Sequence, residues 1–337
     1  MAQNVVSGAF GYVNYGFEST YGTVAGSFPR PFGNGAKISI ARKNNMERVF
    51  GVGARNAATN VAKKYEGSAT IEFQLGAGNT LLSDGGASWL RAVLGAVPTD
   101  AGAGPYTHTY AESNTIASFS VAAAAELGTN DAVMALIGCK VQSCTISAAV
   151  DEIATVRLEC PFRTETMANT GIGSAVAPNE TPMTFAQGTL SVSGSTVGYV
   201  QSFELTVTNN VEMVYGLGSR YSTAGPEKTR TYDIRMNVAF TDTSLLLEKF
   251  YGKAAPVAAT DLATLNPDGV ACVLTFDNGL ATTNSRKVVF TFANLYLNEH
   301  TLPMDVNEVI KEDVSGYALS CTSIVVTNNQ ATDVASP

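Results

Sequence analysis

Charge is scarce in this 337-residue sequence: Asp, Glu, Lys and Arg together make up 15% of it. Lys and Arg number 21 against 29 Asp and Glu, a formal net charge of −8. The few cations are scattered, which argues against a protein that grips nucleic acid by its phosphates, since such binding needs clustered Lys and Arg. Histidine occurs only at His108 and His300, and the five cysteines (Cys139, Cys144, Cys160, Cys272, Cys321) include no C-x-x-C. No metal pattern is present, and an odd count in a long chain fits reduced, buried thiols in a cytosolic setting. No apolar run approaches the roughly 20 residues that span a bilayer, so no membrane insertion of its own is expected. "MAQNVVSGAFGYVNYG" lacks a basic start and an apolar run, so no Sec signal peptide is expected. A hydrophobic share of 45% with so little charge predicts a surface covered in part by other subunits.

What the sequence does have is a repeat. "KNNMERVFGVGAR" (Lys43–Arg55) and "TNNVEMVYGLGSR" (Thr208–Arg220) agree at seven of thirteen positions. The shared residues are Asn44/Asn209, Asn45/Asn210, Glu47/Glu212, Val49/Val214, Gly51/Gly216, Gly53/Gly218 and Arg55/Arg220. Such a mixed match is a duplication, not low complexity. Upstream, "KISIARKNN" and "FELTVTNN" alternate with period two and predict half-buried strands. Downstream, polar loops at 56–66 and 221–231 lead to a second strand, "TIEFQL" or "RMNVAF", aligned at the same offset with no gap. Each copy therefore predicts a hairpin with a long connection.

The spacing then predicts a short amphipathic helix in both copies, "SWLRAVLG" (Ser88–Gly95) and "SLLLEKFYG" (Ser244–Gly252). Ser88 is the expected N-cap, Gly95 the stop, and Trp89, Leu90, Val93 and Leu94 the buried stripe. Strands return at 138–162 and 294–318, at a smaller offset because the second copy has the shorter loop before its helix. The expected organisation is an extended, aromatic-rich N-terminal arm at 1–36, copy one at 37–164, a linker at 165–181, copy two at 182–326 and a loose tail at 327–337.

Catalytic chemistry finds little support. "GVGARN" and "GLGSRY" lack the third glycine of a dinucleotide site, and a polar loop follows where a helix should open. "YGKA" (Tyr251–Ala254) lacks the glycine loop of a phosphate-binding lysine. His108 and His300 occupy non-equivalent positions, and no convergent set of groups surrounds either in sequence. The single sequon at Asn179 reads as chance. The expectation is a protein that is not an enzyme and needs no cofactor or metal. Glu47/Glu212 and Arg55/Arg220 read either as a pair fixing the hairpin corner or as a recurring interface salt bridge.

The motif NN-x-E-x-V-[FY]-G-[VL]-G-x-R, the strand "EGSATIEFQL", the short helix, "IGCKVQSCTISAAVDE" and the opening "FESTYGT" (Phe17–Thr23) resemble the phage tail tube proteins, the major tail proteins of long-tailed bacteriophages. The resemblance covers most of the chain and implies mainly β structure: tube-type β-sandwich domains, each with a flanking helix, whose strands join a continuous barrel. Six such domains form a ring, and stacked rings carry DNA from capsid to host. Two copies in one chain depart from the one-domain pattern and imply a homotrimer with pseudo-sixfold symmetry. With the family's four lumen strands per domain, three chains give about 24 strands and a backbone circle of about 48 Å. Side chains leave roughly 35–40 Å, enough for a duplex roughly 20 Å across.

The resemblance also implies partners: copies of itself, tape-measure and tail-tip or terminator proteins, and double-stranded DNA that passes without specific binding. Assembly in the host cytoplasm and residence in the virion tail follow. The lumen-facing candidates are Thr70, Glu72, Gln74, Arg157, Glu159, Arg235 and Asn237, and an acidic or neutral wall would let phosphates slide. The stacking candidates lie in the long loops: Asn56, Thr59, Asn60, Lys63, Lys64, Tyr221, Thr223, Glu227, Lys228 and Arg230. The aromatic N-terminal arm is a second candidate for joining subunits. Alternative readings are a tail terminator, an injection-machine tube component, or a monomeric two-domain β-sandwich binder of glycan or receptor. Deleting 57–62 is expected to abolish polymerisation, checked by sedimentation of assembled tubes; intact polymers would remove the loops from stacking.

Overall fold

The computed structural model describes residues 11–53, 55–78, 87–125, 132–168, 178, 180–240, 250, 269–305 and 309–331. The second helix (Ser244–Gly252), most of the linker, Asn179 and the end of the tail lie largely outside them. In the first half the strands are β1 (Gly11–Phe17), β2 (Arg30–Pro31), β3 (Lys37–Lys43), β4 (Met46–Phe50), β5 (Ala57–Ala62), β6 (Glu66–Gln74), β7 (Thr99–Gly102), β8 (Tyr106–Tyr110), β9 (Phe119–Ala125), β10 (Ala132–Cys139), β11 (Ser143–Ala149), β12 (Thr155–Phe162) and β13 (Thr164–Ala168). Helix α1 is Leu90–Leu94. The second half adds β14 (Gly188–Val192), β15 (Ser195–Val197), β16 (Val200–Thr208), β17 (Val214–Tyr215), β18 (Ser222–Ala224), β19 (Thr231–Ala239), β20 (Val270–Asp277), β21 (Lys287–Thr301), β22 (Lys311–Ala318) and β23 (Cys321–Asn328). The protein is mainly β, as the alternating stretches and the family resemblance imply.

The sequence repeat has a counterpart in the hydrogen-bond ladders. One four-strand unit runs β3-β6-β12-β11, and a second runs β16-β19-β22-β21. Ile38↔Ile71 in the first recurs as Phe203↔Met236 in the second, at the offset that relates Asn44 to Asn209. Phe73↔Val156 recurs as Val238↔Glu312. Ser143↔Glu159 recurs as Glu299↔Ser315, at the smaller offset of the later strands. Strand register is set by which face is buried, since a one-residue slip turns every side chain over. Matched spacing of inward residues in both copies therefore imposes the same pairing twice. The outer sheet repeats as well: β13-β10-β9-β1-β2 has its counterpart in β23, the first half of β21, β20, β14 and β15.

Strand β11 pairs with β16, so the two units form one eight-strand sheet. Its inner face is apolar: Ala69, Ile71, Phe73, Val156, Leu158, Leu205, Val207, Ile234 and Met236 are all buried. In the first half this face packs on the five-strand sheet and α1. Phe73 lies 5.4 Å from Trp89 and 5.6 Å from Phe32, centroid to centroid. Strand β8 of the first half pairs with β23 of the second, so the halves share more than one ladder.

Three expectations are corrected. Helix α1 is a single turn capped by Trp89, not Ser88, because the Ser88 hydroxyl bonds Tyr15 at 2.9 Å. Gly95 does stop it, at φ 102°, and Trp89, Leu90, Val93 and Leu94 are buried. The N-terminal segment, expected as an extended arm or edge structure, is docked where it is described: β1 and β2 form one edge of the outer sheet, and Tyr15, Phe17 and Phe32 are buried in the core. The loop at 56–66 contains strand β5, paired with β4. Both faces of that hairpin are open, so it carries no period-two signal.

All five cysteines are free and buried. Burial pushes every thiol up, Cys272 and Cys321 to about 12, which leaves them unreactive near neutrality. Phe73→Ala is expected to cost about 3–5 kcal/mol by cavity formation, measured by urea unfolding of the unassembled chain.

Candidate assembly site

The outer face of the eight-strand sheet is polar because every strand in it alternates. Thr70, Glu72 and Gln74 on β6, Arg157 and Glu159 on β12, and Arg235 and Asn237 on β19 all lie on this face, opposite the buried residues. Arg157 donates to Glu72 at 3.2 Å and to Glu159 at 3.0 Å, so its charge is spent between two carboxylates. Arg235 stands directly across from Glu204, and Asn237 donates to Asp313 at 2.5 Å. The face carries Glu66, Glu72, Glu159, Glu204, Asp233, Glu299 and Asp313 against Lys37, Lys43, Arg157, Arg235 and Lys311, a net charge of −2. The sequence reading left out β3, β11, β16, β21 and β22, which the register between strands puts on the same face.

Two hairpins project from one end of this sheet: β4–β5 and the shorter β17–β18. Their bases explain most of the repeated corner. Asn45 and Asn210 both take the left-handed region, at φ 47° and 48°. Their amides then donate to Lys64 O at 3.0 Å and to Thr229 O at 2.8 Å, equivalent carbonyls in the two copies. Asn tolerates this backbone better than other side chains do. Gly53 and Gly218 turn the tips at φ 80° and 89°. Gly51 and Gly216 keep ordinary φ with room for a Cβ, and nothing in the structure explains their recurrence. Glu47 pairs with Lys63, and Glu212 with Lys228 at 2.5 Å. The repeated glutamates thus bond lysines across their own hairpins, not the repeated arginines.

One of the repeated arginines, Arg220, acts between the copies. Arg220 donates to Lys63 O at 2.7 Å and to Asn44 Oδ1 at 3.0 Å, while Tyr65 N–H donates to Arg220 O at 2.8 Å. Tyr215 OH reaches Tyr65 O at 2.9 Å, and the Tyr65 and Tyr221 rings meet edge-on at 5.6 Å. The second hairpin therefore leans on the base of the first. Arg55, the counterpart of Arg220, is exposed and makes no hydrogen bond or ion pair among the described residues.

The loop residues divide into two sets. Asn56, Thr59, Asn60, Lys63, Lys64, Tyr221, Thr223 and Lys228 are exposed. Glu227 and Arg230 are instead used inside the chain. Glu227 pairs with Lys140 at 2.6 Å, and both side chains are largely buried. Arg230 donates to Asn209, Leu94 O and Ser113 O. Asn209 itself is buried and donates to Val93 O and Val141 O. Apolar residues crowd the projecting tips: Phe50, Val52 and Leu217 are exposed, the last two fully, and Met46 is exposed at the base of the first hairpin.

The histidines sit elsewhere and apart. His108 Nδ1 is 2.7 Å from Asp100, and His300 Nε2 is 2.7 Å from Glu312; both rings are buried. No group of three or more His, Cys, Asp or Glu that could hold a metal ion occurs among the described residues. A family model described as phage tail tube protein matches residues 8–318. The chain belongs to the phage tail tube protein family. A search of curated proteins finds nothing that matches it. As a tail tube protein it is a structural component of a phage tail, assembled there with other phage proteins.

The hairpin ion pair has a pH signature. Lys228 donates to Glu212 and holds its carboxyl below the ordinary value of 4.5. A depressed carboxylate stabilises the fold fully above its unfolded pKa, and that contribution is lost as pH falls through the lowered folded value. Lys228→Ala is expected to return the Glu212 titration toward 4.5, followed by carbon NMR of the labelled side chain, with little change in melting temperature because the pair is exposed.

Proposed function

We propose that this tail tube protein polymerises as stacked rings of three chains with pseudo-sixfold symmetry, forming the conduit through which phage DNA is delivered. The observation that carries this reading is the duplicated four-strand unit, with the same strand order and register in both copies and a paired seam between them. Each chain fills two of six places. Eight strands per chain make 24 in a ring of three, which supports the circle of about 48 Å.

The polar face lines the channel in this reading, because the opposite face is the hydrophobic core. Its net charge of −2 and its carboxylate-clamped Arg157 disfavour phosphate binding, so DNA slides past without being held. The projecting hairpins stack one ring on the next, with Val52, Phe50 and Leu217 entering apolar ground on the adjacent ring. Tape-measure protein occupies the channel before DNA does, and tail-tip and terminator proteins close the two ends. Assembly takes place in the host cytoplasm.

End-on electron-microscope averages of the purified protein test this. Rings of three subunits with six lobes around a hole wider than a duplex are expected. Uniform monomers at high concentration, unchanged by seeding with tube fragments, would overturn it.

A further inference from the structure

The ring reading leaves open how one chain meets the next, and the duplication answers it in residue detail. Among the described residues, the eight-strand sheet ends in two unpaired edges. Strand β3 pairs there only with β6. Beyond Leu295, β21 pairs only with β22 among the same residues. By the internal repeat, β3 is the counterpart of β16, and this part of β21 is the counterpart of β11. Since β11 and β16 pair with each other, the chain already contains a built example of the missing joint.

Resting on that ring reading, we infer that the end of β21 and the residues just after it pair antiparallel with β3 of the next chain, in the register of the β11–β16 seam. Ser143↔Thr208 maps onto Glu299↔Lys43, and Thr145↔Thr206 onto Thr301↔Ala41. Ile146↔Leu205 maps onto Leu302↔Ile40, and Ala148↔Phe203 onto Met304↔Ile38. Ala149↔Ser202 maps onto Asp305↔Lys37.

The chemistry of the edges fits this register independently of the mapping that produced it. Both ends of the polar side meet in opposite charges, Lys43 with Glu299 and Lys37 with Asp305, and all four side chains are exposed in the single chain. Directly opposed charges stabilise antiparallel pairs, and like charges oppose them. The other side of the joint is apolar: half-buried Ile38 and Ile40 meet Met304, which is 74% exposed, and Leu302. A slip of one residue would set charges against this apolar row. Pro303 also fits. Val150 N–H donates to Gln201 O in the internal seam, so amides of even-numbered residues in β11 face β16 and that of Ser147 faces β12. Pro303 is the counterpart of Ser147, so its missing N–H falls on the β22 side and costs the joint nothing. The hairpin contact maps too: Arg220 on Lys63 O becomes Arg55 on the Lys228 carbonyl of the adjoining copy.

Ala41 and Thr301 form a pair without direct backbone bonds in this register, with Cα atoms about 4.5 Å apart, close enough for a disulfide. The native thiols are all buried and do not compete. Ala41→Cys and Thr301→Cys in one chain, oxidised after assembly, are expected to give covalent dimers and trimers on non-reducing gels. The offset combination Ser39→Cys with Thr301→Cys is expected to give at least tenfold less. Equal or preferred crosslinking of the offset pair, or none by either in rings seen by microscopy, would overturn the register while leaving the ring reading intact. Absence of rings from the unaltered chain, even when seeded, would remove both. Lys43→Glu and Glu299→Lys should each raise the concentration needed for assembly, roughly fivefold per joint, and the double variant should restore it. Additive losses in the double variant would contradict the pairing.

Discussion

An antiparallel sheet that does not close on itself leaves two rows of backbone N–H and C=O groups without strand partners, and the whole design of this chain turns on that fact. Proteins that remain monomers blunt such edges with short strands, bulges or buried charge. Here the edges are seven residues of β3 and the far half of a fifteen-residue strand, β21. Both carry apolar residues on the core side. In the proposed joint these edges take the pairing that β11 and β16 already make within the chain.

Recurrence of one strand unit gives this arrangement its economy and its constraint. A single fold solution, the four-strand inner unit backed by a five-strand outer sheet, is used twice. The copies then diverge where their neighbours differ. Glu227 paired with Lys140, and Arg230 donating to Leu94 O and Ser113 O, tie the second hairpin's loop to the first half, and Arg163 donates to Ser222 O across the same boundary. These buried polar contacts are satisfied on both sides, which makes the junction between copies specific as well as tight. The Glu–Lys pair across each hairpin, by contrast, is exposed and keeps the hairpin's shape more than its stability.

Much of this was legible in the sequence, for physical reasons. Period-two alternation in "TIEFQL" and "RMNVAF" placed Ile71, Phe73, Met236 and Val238 inside, and the two offsets between the copies are those of the ladders. The family also followed from the repeated corner. The illegible parts were those without a buried face or with a non-local partner. Strand β5 was hidden because its hairpin is open on both sides. The N-terminal aromatics gave no sign that Tyr15 and Phe32 pack against each other, at 4.4 Å, inside the core. Glu227 and Arg230 looked like loop charges because Lys140, the partner of the first, and the Leu94 and Ser113 carbonyls, partners of the second, lie far away in sequence. Lys37 and Glu299 became significant only once the register showed them at the two ends of one sheet.

The central claim is that the two sheet edges are halves of one joint, and amide hydrogen exchange tests it most directly. In the unassembled chain, the amides of Ile38, Ile40, Arg42, His300, Leu302 and Met304 should exchange quickly, while Cys144, Ile146 and Ala148 in the internal seam exchange slowly. In assembled tubes the six edge amides should become as slow as those three. Tubes in which the edges still exchange freely, with protection gained only at the hairpin tips, would contradict the account.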